Sequence, residues 1–296
     1  MYRTIGLLSV AIALAMSGCG DGKSPVTDRN KASGTAAPAA DAPEAESGMV
    51  VGRVTMADGA ALRGQIKDIG ISIQGVSEAG ERVYFTPVVK ADGSYRQKVP
   101  PGQYSFSTAR VVVIHNDIEH RFDLEPVGMN WNKNRDSADG IAQDFVWKIT
   151  GATPYGVSNG KDNGNATHWY GRSVGLRPEG YREDIKQVPR TIPDGTKLSF
   201  TFKATGTVVD GTTLTAPIVL ERTYTANSYV AYDAADLPPA SYELTGSATL
   251  PDGSITALVF NGAAYAAPYV QNKPLKLEID NIIGSIFKTS VTFAID

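Results

Sequence analysis

Ala91-Asp92-Gly93-Ser94-Tyr95 and, shortly after it, Val99-Pro100-Pro101-Gly102-Gln103-Tyr104 decide the fold. Asp-Gly is a tight-turn dipeptide, because aspartate caps the turn with its own carboxylate and glycine accepts the left-handed backbone that the turn requires. Pro100-Pro101-Gly102 forces a corner that no helix can cross. Tyr104 and Phe106 then alternate with Gln103, Ser105 and Ser107, the period of a strand with one buried and one solvated face. A large aromatic residue straight after the corner anchors the new strand in the core.

The residues before this stretch extend the pattern. Val51-Gly52-Arg53-Val54-Thr55 leads into the Asp58-Gly59 turn, and Ile69-Gly70-Ile71-Ser72-Ile73 is a further alternating strand. The whole order resembles the carboxypeptidase regulatory-like domain. Its pattern is V-x-G-x-V-x-x-x-x-G, an inward strand, then D-G-x-[FY]-x-x-x-V-P-x-G-x-Y. The resemblance implies a transthyretin-like β-sandwich over residues 48–150 with a non-catalytic, accessory role.

Strand periodicity continues to the end of the chain. Leu198, Phe200 and Phe202 alternate with Lys197, Ser199, Thr201 and Lys203, and Tyr242 and Leu244 with Ser241, Glu243 and Thr245. Further turns stand at Asp139-Gly140, Asp194-Gly195, Asp210-Gly211 and Asp252-Gly253. No segment keeps a helical period for three turns. The expectation is an all-β chain of two antiparallel β-sandwich modules. Leu237-Pro238-Pro239-Ala240-Ser241-Tyr242 repeats the first corner with alanine in place of glycine. The second module, residues 151–296 with a connecting loop at its start, is therefore either a divergent transthyretin-like relative of the first or an immunoglobulin-like domain that met the same corner requirement.

The N-terminus speaks to location. Arg3, an apolar run from Ile5 to Met16, and Ser17-Gly18-Cys19 make up a secretory signal. Its core of about 12 apolar residues falls short of the ~20 needed to span a bilayer. Small residues before a cysteine resemble the lipobox of bacterial lipoproteins, although Met16 stands where leucine is usual. That resemblance implies a signal peptide over residues 1–18 and lipidation of Cys19. Cys19 is the one cysteine of the chain, so no intramolecular disulfide competes for it. Gly20 stands where an inner-membrane retention signal would carry aspartate, which implies the outer membrane, facing either the periplasm or the exterior. Residues 19–47 combine the lipidated cysteine with a linker that lacks aromatic residues and is rich in Ala, Pro, Gly, Ser and acids. Such a segment cannot bury enough surface to offset chain entropy. It reads as a tether with a coil dimension of about 30 Å, extendable to roughly 90 Å.

Chemistry is sparse. The formal net charge of −3 at pH 7 excludes a nucleic-acid footprint. His115, His120 and His168 are the histidines, and no H-E-x-x-H, C-x-x-C or G-x-S-x-G occurs. Asn116-Asp117 reads as a hairpin tip that brings His115 and His120 together, a weak two-histidine ligand set. Asp162-Asn163-Gly164-Asn165 is rich in oxygen donors but lacks the spacing of a calcium loop. Glu183 and Asp184 are adjacent, so on a strand they point to opposite faces and cannot share acid–base work. A catalytic set, a metal site and a cofactor are thus not expected. Trp147 reads as core. Trp131, in a loop rich in Asn, Lys, Arg and Asp, together with Trp169 and Tyr170, are the candidate ligand-contacting residues. Sugar recognition pairs ring stacking with amides and carboxylates that orient hydroxyls. The expected function is a non-enzymatic cell-envelope lipoprotein acting as a binding, adhesion or scaffold module. Its partners are the membrane, through the lipid, and an envelope protein or glycan. Polysaccharide capture is the alternative, and a hydrolase built on His168, Glu183 and Asp184 a third reading.

Overall fold

Alternating buried and exposed side chains build three sheets in a computed structural model of the chain, which describes residues 44–128, 132–151, 169–178, 192–225, 232–261, 274–278 and 289–295. Cys19, Trp131, His168, Asp162–Asn165, Glu183 and Asp184 lie outside the described residues, as do the segments expected to be the signal peptide and most of the tether.

The N-terminal half carries β1 (Met49–Met56), β2 (Gln65–Ser77), β3 (Arg82–Phe85), β4 (Ser94–Lys98), β5 (Gly102–His115) and β6 (Ile118–Asp123). The shorter strands β7 (Glu125–Pro126), β8 (Arg135–Asp136), β9 (Ile141–Ala142) and β10 (Phe145–Trp147) follow. One five-stranded sheet runs β4-β1-β10-β7, with β9 also on β1; the other runs β3-β2-β5-β6, with β8 on β5. The two sheets meet through rings. Phe106 of β5 packs edge-on against Phe145 of β10 at 5.5 Å, and Phe122 of β6 lies 5.7 Å from Trp147 of β10. Trp147 is fully buried, as expected of a core tryptophan.

The C-terminal half carries β11 (Arg172–Pro178), β12 (Lys197–Ala204), β13 (Ile218–Thr223), β14 (Tyr232–Leu237), β15 (Ser241–Thr249), β16 (Ile255–Asn261), β17 (Leu275–Glu278) and β18 (Thr289–Ile295). These form an eight-stranded sheet, β13-β12-β15-β16-β18-β11-β14, with β17 on β15. Phe200, Phe202, Tyr242 and Phe293 fill its buried side, with Phe200 and Phe293 at 5.1 Å. The protein is all-β. Among the described residues the helical geometry is a single 3-10 turn, Ser137–Asp139, and no helix is long and apolar enough to cross a membrane.

Both halves place their first strand beside their last, in parallel. In the N-terminal half β1 pairs with β9 (Val50 with Ile141) and with β10 (Val54 with Phe145, Met56 with Trp147). In the C-terminal half β11 pairs with β18, from Val174 with Thr289 to Pro178 with Phe293. No ladder among the described residues joins the two halves, although all of them lie in one compact unit, Ala36–Asp296.

The turns follow their residues. Asp92 Oδ1 accepts hydrogen bonds from the Ser94 amide at 2.9 Å and the Ser94 hydroxyl at 2.7 Å, while Gly93 adopts a φ of 81°. Asp252 and Ser254 repeat that arrangement at 2.9 and 2.6 Å. Asn116 and Asp117 both take positive φ, 48° and 61°. These are the left-handed values of a two-residue hairpin turn, which matches the twist of the flanking strands.

Candidate functional site

The described chain begins at the tether's exit. Glu46 forms an ion pair with Arg96 of β4. The Gly48 amide donates to the Ser137 carbonyl at 2.7 Å. Gly140 takes a φ of 71°, and a side chain there would strike the Glu46 backbone at 2.5 Å. The last residues of the tether are therefore docked on the folded body, and β1 starts from a fixed point.

At the other end of β1 and β10, the two halves meet. Gly151 accepts a hydrogen bond from the Tyr170 amide at 2.8 Å. The Asp236 carboxylate accepts from the Gly151 amide at 2.8 and 2.9 Å and from the Gly171 amide at 3.1 Å. One side chain thus ties the segment leaving the first half to the segment entering β11. Asp236 itself sits at a φ of 61°, a strained value that aspartate tolerates better than most residues. Burial raises its carboxyl above the ordinary range, opposed by the two backbone donors.

A charged cluster surrounds this clamp. Lys148 pairs with Glu125 at 2.6 Å and lies 5.8 Å from the centre of the Tyr170 ring. The Arg172 guanidinium stacks 5.2 Å from the centre of the Phe122 ring. Burial lowers Arg172 to about 10, partly offset by the charge of Asp123. Burial, and after it the negative charge of Glu125, pushes the Tyr170 phenol up. Further contacts stand to the side: Arg63 bridges Asp58 at 3.2 Å and buried Asp210 at 3.8 Å, and Asn116 at the hairpin tip donates to Ser241 at 3.3 Å.

These positions revise the ligand-contacting candidates. Tyr170 is 7% exposed, so its ring closes the junction and has no free face for a sugar. Its neighbour Trp169 is half-buried. The sequence offered no local signal for the junction, because Glu125, Lys148, Arg172 and Asp236 come together only through long-range packing. His115 and His120 do come together across their hairpin, with ring centres 5.9 Å apart in edge-to-face contact. His120 is 3% exposed and stacks on Phe122 at 6.4 Å, as a core residue does. Among the described residues, no group of three or more His, Cys, Asp or Glu converges as a metal site.

Two features stand out: residues 46–48 docked at one end of the first half, and a clamped, charge-rich junction at the other. Comparison of the chain with protein-family models, with curated proteins and with solved structures gave no match.

Proposed function

We propose that this chain is a non-catalytic lipoprotein of the bacterial cell envelope, anchored in the outer membrane through Cys19 and acting as a binding, adhesion or scaffold module. The observation that carries the reading is Ser17-Gly18-Cys19 after an apolar run, in a chain with no other cysteine. An aromatic-free linker follows it and leads to a docked first strand. Several acyl chains, at roughly 0.8 kcal/mol per buried methylene, hold a protein on a bilayer stably, whereas one does not. Residues 48–150 form the carboxypeptidase regulatory-like sandwich, and residues 151–296 a second β module built on a single eight-stranded sheet in place of the two facing sheets expected of a sandwich. The facing rings of the first half support the former. The shared Pro-Pro corner and the parallel first and last strands support a divergent repeat over an unrelated immunoglobulin-like domain. The membrane, through the lipid, and an envelope protein or glycan are the partners.

The test is metabolic labelling with a fatty-acid analogue, followed by fractionation of wild type and Cys19→Ala. Label on the wild type alone, and loss of the variant from the membrane fraction, are the expected results. A Cys19→Ala chain that stays in the outer-membrane fraction overturns the reading.

A further inference from the structure

We infer that the fold is a load-bearing link, built to resist tension between its N-terminal tether and its C-terminal half. The inference rests on the anchor reading above for the origin of the load, and on strand topology for the response to it.

The tether enters the folded body at Met49, the first residue of β1. The chain leaves the first half after Trp147, the last residue of β10. Because β1 and β10 run parallel, these two points lie at opposite ends of one shared ladder. Tension drawn between them slides β1 along its partner strands. Sliding loads every ladder bond at once, whereas pulling two strands apart from one end breaks their bonds singly. The ladder is reinforced where β9 gives way to β10: the Gln143 amide donates to the Val51 carbonyl at 2.9 Å, and the Arg53 amide to Asp144 Oδ1 at 2.8 Å. On its other edge β1 is held by antiparallel β4, from Met49 with Lys98 to Arg53 with Ser94.

The second half repeats the device. Load enters at Arg172, the start of β11, and leaves beyond Ile295, the end of β18. The parallel register from Val174 with Thr289 to Pro178 with Phe293 lies between those points. The contacts made by the first half fall on Tyr170, Arg172, Asp210, Asp236 and Ser241. Tyr170, Arg172, Asp236 and Ser241 stand where β11 and β15 begin or β14 ends, and Asp210 lies in the loop that follows β12. The far ends of β11 and β18 therefore point away from the junction. Two shear-loaded ladders stand in series, joined by the Asp236 clamp. In an adhesion or scaffold protein this geometry transmits pull to the envelope without opening a strand pair from one end.

The experiment is single-molecule force spectroscopy on the full chain carrying Cys19→Ser, so that introduced thiols alone serve as handles. One pair of handles is Glu44→Cys with a cysteine appended after Asp296, which loads both ladders along their strands. The other is Glu44→Cys with Lys98→Cys. Lys98 is exposed and faces Met49, so this pair opens β1 from β4 one residue at a time. Forced unfolding follows the unfolding barrier, and the first geometry is expected to need at least about twofold more force at equal pulling speed. Equal or lower force in the first geometry overturns the inference. Asp144→Ala, which removes the side-chain acceptor from Arg53, is expected to lower the force in the first geometry and leave the second unchanged. No drop in the first geometry overturns the assignment of the clamp to β1 and β10. These forces are read on a soluble chain and do not depend on lipidation, so a failure of the anchor reading shows separately in the Cys19→Ala fractionation.

Discussion

Tyr242 donates its phenolic hydroxyl to the carbonyl oxygen of Pro238, four residues earlier, at 2.7 Å. Tyr104 does the same to Pro100 at 2.9 Å. Both rings are almost wholly buried, at 1% exposed, so each corner carbonyl receives its hydrogen bond from the residue that pins the following strand. Removing the Tyr242 donor takes from the Pro238 carbonyl its phenolic partner, at a net cost of about 1–2 kcal/mol, whereas the Pro100 carbonyl keeps the Ser137 hydroxyl at 3.2 Å and should lose less. Tyr242→Phe and Tyr104→Phe should each lower the urea midpoint without changing the slope. The double variant should lose the sum, since the two corners share no partner. A Tyr→Phe change with no effect at either corner would show that the phenol is only a space-filling group.

After the two prolines one corner has Gly102 where the other has Ala240, which makes a second comparison. Gly102 adopts a φ of 155°, and a side chain there would meet the Val76 carbonyl oxygen at 2.4 Å and the Ser77 Cα at 2.7 Å. The second corner has Ala240, which is 3% exposed and accommodated. Gly102→Ala must push backbone aside and should cost at least about 2 kcal/mol. Ala240→Gly should cost only about 1 kcal/mol, through chain entropy and a lost methyl. Thermal melts of the two variants check the order; a Gly102→Ala protein as stable as wild type defeats the packing account.

Tyr170 gives the converse of the corner tyrosines. Its buried hydroxyl lies beside the Glu125 carboxylate, which Lys148 already engages, and makes no hydrogen bond of ordinary geometry. The polar atom is therefore expected to add little stability. Tyr170→Phe should change stability by less than about 0.5 kcal/mol or raise it slightly, because a buried hydroxyl without a well-placed partner is itself a cost. Tyr170→Ala should instead lose about 3 kcal/mol or more, as truncation of a packed ring does. If Tyr170→Phe destabilises as much as Tyr242→Phe, the hydroxyl is bonded to Glu125 in solution and holds the junction with it.

Local chemistry was readable, and long-range chemistry was not. Asp92-Gly93-Ser94 and Asn116-Asp117 are turns because the needed backbone angles are properties of those residues, so neighbours in sequence suffice to identify them. Alternation at Leu198–Lys203 named Phe200 and Phe202 as inward, and both are fully buried. Gln143-Asp144 separates β9 from β10 with no turn dipeptide to mark the break; Gln143 turns its side-chain amide to the Val127 and Asp144 carbonyls at 2.9 and 2.8 Å. Tyr170 read as a ligand-contacting residue because, beside Trp169, it offered an aromatic face of the kind that sugars stack on. Lys148 and Glu125 instead close over it from distant parts of the chain, and nothing near residue 170 announces them.

Asp236 yields the pH-dependent prediction. Its folded-state carboxyl is raised by burial, so the folded protein binds this proton more tightly than the unfolded chain does. The stabilisation from the neutral form is fully present below the unfolded value and is lost as pH rises through the folded one. At neutral pH the charged group is therefore a net burden, retained because it ties Gly151 to Gly171. Asp236→Asn keeps an oxygen acceptor without the charge. Its stability relative to wild type should rise between about pH 4 and pH 7, read from urea unfolding across that range. Asp236→Ala lacks the acceptor altogether and should lose about 2–3 kcal/mol near pH 4, as two amides go unanswered, a deficit that narrows towards pH 7 as the wild-type carboxylate ionises. An Asp236→Asn protein that loses ground to wild type as pH rises would mean that the charge itself holds the junction together, through donors stronger than the two amides.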